Sequence, residues 1–218
     1  MDDPRDSGNW TSGRVGVGTL VGSNMGVGAP ALLAWMGSAA EVTAQEMRTL
    51  PQSTYEAIAR SNYWIPLGCG FLPAGVDLMV FDFGWNRGIL TSLDILTSCV
   101  GVPGEATVPM DASIYDGGMQ SVSPSYLLQE ISPQNIRTLQ KLLGVTADGI
   151  AGPITTRAFQ AREDLLVTAL ILALATAQVA SYRDLGNFPI YGAGWLARTS
   201  RRSLAALAAA AVHPEVFV

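Results

Sequence analysis

The sequence predicts a mainly α protein, and three observations carry that prediction. Apolar residues recur at helical spacing in most segments, as in Val76, Met79, Val80 and Phe83. Helix-start signals stand before those segments: Pro30, Thr43-x-x-Glu46, Ser53-x-x-Glu56, Pro73 and Ser132-Pro133. Alternating apolar and polar runs of strand type are scarce.

Residues 1–28 hold seven of the 23 glycines and read as a long structured loop or a short hairpin. PALLAWM, closed by Gly37, is the first helix. The two Thr/Ser-x-x-Glu boxes predict helices over 43–49 and 54–64. PAGVDLMVFDFGWNRG is a helix over 73–88, and another follows over 90–100. Asp82 and Asn86 are four apart and share a face of the 73–88 helix. Such a polar pair either braces a loop or faces a cleft. Residues 101–131, broken by Pro103, Gly104, Pro109, Gly117, Gly118 and Pro124, read as an irregular insertion with room for a short helix at 124–130. After it, Ser132 caps a helix with the stripe Ile136, Leu139 and Leu142/Leu143, stopped by Gly144. Gly152-Pro153 opens a helix through Phe159, and a long helix spans 163–184. Asn187-Phe188-Pro189 turns the chain, Tyr191 to Trp195 forms a loop, and an Ala-rich helix covers 196–212. The expected organisation is an N-terminal part over 1–100, the insertion over 101–131, and a C-terminal part over 132–218.

Composition narrows the function. The chain has 218 residues and is 49% hydrophobic, enough for a sizeable core. A net charge of −5 and a pI near 4.8 argue against a general nucleic-acid binder. Arg198, Arg201 and Arg202 form the one basic cluster and read as a solvated helix face. Cys69 and Cys99 are too few for a disulfide framework and read as buried thiols. The single histidine, His213, and the lack of Cys-x-x-Cys leave no metal site, and no cofactor is expected. The acidic N-terminus does not read as a signal peptide. LLVTALILALATAQVA, 165–180, is membrane-like, but its sixteen residues fall short of the roughly 20 needed for a span. It reads as a core helix.

LQKLLGVTADGIAGPITTRAF, 139–159, resembles the peptidoglycan-binding repeat, with Leu-Gln-x-x-Leu-Gly-Val followed by Asp-Gly-x-x-Gly-Pro-x-Thr. Tyr63-Trp64 ahead of LPAGVDLMVFDFGWNRG, and the later FPIYGAGWLARTSRR, are similar to segments of the phage-type muramidases of glycoside hydrolase family 108. That resemblance runs from residue 2 to about 205, interrupted at 101–131. It implies a lysozyme-like helical bundle with a peptidoglycan-binding-like helical lobe, and hydrolysis of the glycan strand of bacterial cell walls. The family's general-acid glutamate stands in Glu-Gly-Gly-Tyr, just ahead of a stretch like Asp2-Asp3-Pro4-Arg5-Asp6-Ser7-Gly8. Aligned in this way the glutamate falls before Met1, so the chain is expected to lack it.

The remaining catalytic candidates are Asp6, matching the second family acid, and Thr11 or Ser23, matching the hydroxyl that follows. Asp6 also reads as the cap of an N-terminal turn. Where the family has Thr-Asn/Lys-Tyr-Gly-Ile, this chain has Ser23-Asn24-Met25-Gly26-Val27, with Met25 in place of the tyrosine. Asn24, Trp64, Asp82 and Asn86 are the candidate substrate-binding residues, with Trp10, Tyr63 and Trp85 as further aromatics near the implied groove. Glu41 and Glu46 read as solvated.

Without the acid, glycoside cleavage loses its proton donor. The expected function is therefore a degenerate muramidase-like protein of a phage or phage-derived particle, binding peptidoglycan or serving as a structural virion or tail component. Residues 101–131 are a candidate surface for other particle proteins. The alternative is an active muramidase. A third reading is a membrane-disrupting factor using 165–180. The expected location is the particle, or the host cytoplasm before release.

Overall fold

The computed structural model describes residues 3–37, 41–100, 128, 131–162 and 165–212. The insertion at 101–131, its candidate helix at 124–130 and His213-Pro214 lie outside the described residues, apart from Leu128 and Ile131, both buried. The chain divides into two compact units, Met1–Tyr63 and Trp64–Val218.

The first unit opens with a 3-10 turn, Ser7–Asn9, and a minimal hairpin joined by the antiparallel bridge Trp10↔Leu20. Helix α1, Ala29–Met36, has Pro30 in its first turn and ends at Gly37. Helix α2, Ala44–Arg48, carries the predicted capping box: Thr43 Oγ1 accepts from the Glu46 amide, and the Glu46 carboxylate accepts from the Thr43 amide. Helix α3, Gln52–Ala59, does not use the second predicted box. It starts two residues earlier, after Pro51, so Ser53 lies inside the helix and Glu56 instead accepts from the Gln52 side chain. It runs on as a π-helical turn, Arg60–Trp64. Val21, Val27, Leu32, Met47, Leu50 and Ile58 form this unit's core.

The second unit is built around α8, Leu166–Arg183, in which seven consecutive residues, Ala169–Ala175, are buried. A helix buried on all sides needs neighbours all round. They are α4 (Val76–Arg87), α5 (Ile89–Val100), α6 (Pro133–Leu143) and α9 (Phe188–Val212). That need explains why α4 and α5, expected with the N-terminal part, share a unit with the C-terminal helices. Helix α8 is long and apolar enough to cross a membrane, but half of it is buried inside the fold, as a core helix is.

Helix α6 starts and stops as predicted, with the Ser132 cap and a left-handed Gly144. Leu142, assigned to its apolar stripe, is half exposed at 50%. Helix α7, Pro153–Gln160, follows the predicted turn. One prediction fails at the C-terminal end: residues 191–195 are helical, and α9 begins at Phe188. Its glycines do not break it because packing replaces propensity. The Phe188 ring lies against Gly192, where a Cβ would come within 2.6 Å of it. Cys69 and Cys99 are buried and form no disulfide; burial pushes the Cys69 thiol up to about 12.

Gly75, ahead of α4, has φ +90°, and a Cβ there would stand 2.3 Å from the Ala206 carbonyl oxygen of α9. Backbone conformation and space both demand glycine. Gly75→Ala is expected to destabilise the second unit by about 2 kcal/mol or more, read as a lower urea midpoint at unchanged slope.

Candidate functional site

The sequence-predicted residues divide between the units. Asp6, Thr11, Ser23 and Asn24 lie on the first, and Trp64, Asp82 and Asn86 on the second.

On the first unit the hairpin is held by a few well-placed bonds. Asp6 is exposed and caps the 3-10 turn, its Oδ1 accepting from the Gly8 amide at 2.8 Å. Asn9 is buried; its side chain donates to the Asp3 carbonyl, and its own carbonyl accepts from the Val21 and Gly22 amides. Thr11 is half-buried, and its Oγ1 accepts from the Thr19 amide at 3.0 Å. Gly18 makes room for that hydroxyl, since a Cβ there would sit 2.6 Å from it.

Ser23 leads into a tight turn. Asn24 and Val27 exchange both backbone hydrogen bonds, and Met25 and Gly26 between them have φ of +51° and +82°. Positive φ at both central residues is the pattern of a type I′ turn, which favours Asn-Gly. Met25 is the one non-glycine residue with positive φ among the described residues. It is held there because Asn24 Nδ2 donates to the Met47 and Arg48 carbonyls at 3.0 and 3.2 Å, fastening the turn to the end of α2. Asn24 therefore acts as a brace.

Next along the chain from that anchor lies a groove of about 340 Å³ between α1 and the α2–α3 corner. Leu32, Trp35 and Met36 form one wall, and Glu46, Thr49 and Thr54 contribute polar groups. Trp35 is 43% exposed, so its ring offers a stacking surface. Glu46 is solvated, as predicted, but its carboxylate is committed. The Thr43 backbone amide, then the Thr43 hydroxyl, hold it below the ordinary carboxylate range. A proton donor to a glycosidic oxygen needs the opposite shift. The sequence reading missed Trp35; its one signal was an aromatic in the last turn of a helix stopped by glycine.

On the second unit, Trp64 is half-buried and joins Phe81 and Trp85 in a ring cluster, with centroids 5.6 and 6.1 Å apart. Asn86 is exposed and donates to the Asp82 backbone carbonyl at 2.6 Å. Asn86 therefore does not join Asp82 in bracing a neighbour. The Asp82 carboxylate instead accepts from Arg198 Nε at 3.0 Å, Arg198 Nη2 at 2.5 Å and Arg202 Nη1. This corrects the solvated-face reading of the arginines: Arg202 is 5% exposed, and only Arg201 points fully into water. Asp82 is a brace, but what it braces is helix α9 and not a loop.

Residues 1–88 match the family model described as Glycosyl hydrolase 108. That part of the chain resembles glycoside hydrolase family 108, as its motifs imply. The match spans every residue lining the groove. The solved structure of SagA from Brucella abortus is 26% identical, covers 88% of this chain and 83% of its own, and superposes with a TM-score of 0.49. No curated protein matches the chain.

Two outcomes test this geometry. Met25→Asn, better suited to a left-handed position, is expected to raise stability by about 1 kcal/mol in thermal unfolding. The Glu46 carboxyl is lowered on folding, so its stabilising effect is complete above the ordinary value of 4.5 and is lost as pH falls through the folded value. Glu46→Gln should therefore flatten the acid limb of the melting-temperature profile and leave its neutral limb parallel to that of the parent.

Proposed function

We propose that the protein binds peptidoglycan as a muramidase-like protein that grips the glycan strand without cleaving it at enzymatic rates. The groove of the first unit is the place of contact. Trp35 supplies a flat apolar face for a sugar ring, and Thr49 and Thr54 supply hydroxyls to its rim. The observation that carries the reading is the state of Glu46. The carboxylate that lines the groove is held ionised by Thr43, so it accepts hydrogen bonds from sugar hydroxyls and has no proton to deliver. Support also comes from the family match, which covers this unit entire. A phage or phage-derived particle is the setting proposed for such a protein, with residues 101–131 as its attachment to other particle proteins.

A second reading is an active muramidase with Asp6 as the acid. One observation favours it. Met25 holds a strained backbone angle two residues from Ser23, and strain of this kind gathers at functional sites.

Co-sedimentation with purified, insoluble sacculi tests both. The parent protein is expected to pellet with the wall, and Trp35→Ala to bind about tenfold more weakly, the loss of one stacking contact. Dye-labelled sacculi are expected to stay intact. Dye release at enzymatic rates would reject the first reading, and its loss in Asp6→Asn would establish the second.

A further inference from the structure

The second unit carries a cluster that its packing alone does not account for. Helices α4, α8 and α9 meet along a ladder of residues one turn apart: Phe83 and Arg87, Gln178 and Tyr182, Arg198 and Arg202. At the inner rung, Arg202 Nη2 donates to Gln178 Oε1 at 2.5 Å, and Gln178 Nε2 donates to the Met79 carbonyl at 3.1 Å. At the outer rung, the Tyr182 ring packs edge-on to Phe83 at 5.3 Å and stacks on Trp195 at 5.2 Å.

The charges do not balance there. Asp82 is a single carboxylate shared by two guanidinium groups, Arg198 and Arg202. Arg87 adds a third cation, and the positive fields of both Arg198 and Arg87 reach the Tyr182 hydroxyl. Asp184, at the end of α8, stands exposed.

The hydrogen bonds do not balance either. Among the described residues, four buried side-chain polar atoms have no partner, and three of them are here: Arg87 Nε, Tyr182 Oη and Arg202 Nε. All three carry a hydrogen, so what they lack is an acceptor. Tyr182 is 1% exposed and the Arg202 side chain 4% exposed. The Arg198 side chain, 42% exposed, opens the cluster to solvent.

We propose that this cluster is a binding site for a small oxyanion, a carboxylate or phosphate group, held between the Arg87, Arg198 and Arg202 guanidiniums and the Tyr182 hydroxyl. Such a group supplies acceptors and neutralises charge together, where a neutral acceptor does only the first. Burial lowers the Arg202 guanidinium to about 10, so it stays charged at neutral pH while its Nε has no acceptor. Burial also raises Tyr182, which keeps its proton for donation at neutral pH. The Tyr182 ring is packed against both Phe83 and Trp195 and is buried, so its hydroxyl suits a terminal group better than a polyanion surface. The proposal does not rest on the glycan reading of the first unit.

Thermal unfolding of the full chain in acetate or in inorganic phosphate, each at ionic strength matched with chloride, tests it. The expected result is a saturable rise in melting temperature with one of the two anions. Acetate as the better ligand identifies a carboxylate site, and phosphate a phosphate site. Arg87→Gln is expected to weaken the saturable response at least tenfold. Tyr182→Phe should weaken it similarly while holding or raising the melting temperature in chloride, because an unpartnered buried hydroxyl is removed. Coincidence of both anions with chloride would overturn the proposal. So would a saturable response that Arg87→Gln and Tyr182→Phe leave unchanged.

Discussion

The Asp82 carboxylate is the fixed point of the second unit. It ties α4 to α9 through Arg198 and Arg202, and Arg202 ties α9 to α8 through Gln178. A buried guanidinium has a desolvation cost of several kcal/mol, and only a well-placed acceptor offsets it. The apolar faces of α8 and α9 include small residues such as Ala169, Ala173, Gly192 and Ala206, and apolar contacts of that kind are not directional. The charged lock is, because a shift of one turn would leave Arg202 buried with neither Asp82 nor Gln178. Position along the axes is thus set by polar contacts and closeness by small residues. Gly75 lets the α9 backbone approach, and Gly84 admits Leu67, whose Cδ1 would be 2.6 Å from a Cβ there.

Residues 139–159 use their motif side chains in the same way. Gln140 is 1% exposed, and its side chain spans the turn. Its Nε2 donates toward Asp148 Oδ1 at 2.7 Å and Thr155 Oγ1 at 2.9 Å, while its Oε1 accepts from the Gly149 amide at 2.8 Å. Asp148 in turn accepts from the Ile150 amide, which with Gln140 lowers its carboxyl below the usual range. Gly149, at φ +82°, brings its backbone against Pro133 and Arg137. The Gln, Asp, Gly and Thr of the motif are therefore explained by the turn they build. What the segment offers outward is apolar: Ile150 and Ile154 are 66% and 75% exposed.

What was legible in the sequence follows from range. The Thr43 cap, the Ser132 cap with Pro133, the Gly144 stop and the starts at Pro30 and Pro153 are interactions within four residues and are where the sequence puts them, whereas α4 begins at Val76, three residues after the predicted start at Pro73. Asp82 with Arg198 spans 116 residues, and nothing local distinguishes that pair from a solvated charge. The 191–195 stretch reads as a loop because its glycines are poor helix formers; the Tyr182, Phe188 and Tyr191 rings gathered around Trp195 outweigh that preference. The Ser53 box is a case of competition, since Pro51 starts the helix first. Of the candidate site, the hairpin residues were legible as a set, because glycine density marks the turns that hold them. The groove was not, because it forms between α1 and α2–α3, and its walls are apolar residues that read as core.

The carboxylates of Glu46, Asp82 and Asp6 share one structural use. Acid catalysis needs a carboxyl against apolar side chains with few donors around it, so that the neutral form is favoured. Glu46 has apolar neighbours in the groove but two donors from Thr43, and the donors win because they act on the charged form directly while the group stays solvated. Asp82 is largely enclosed but meets two guanidiniums. Asp6 is exposed and caps a turn. In each case the carboxylate serves as an acceptor that fixes a backbone or a helix. Chemistry at the groove would require Glu46 to leave Thr43, and that exchange would give up the cap that starts α2, the helix on which the Asn24 turn is anchored. The first unit thus holds its groove carboxylate with Thr43, a state that fits the grip on sugar hydroxyls proposed above.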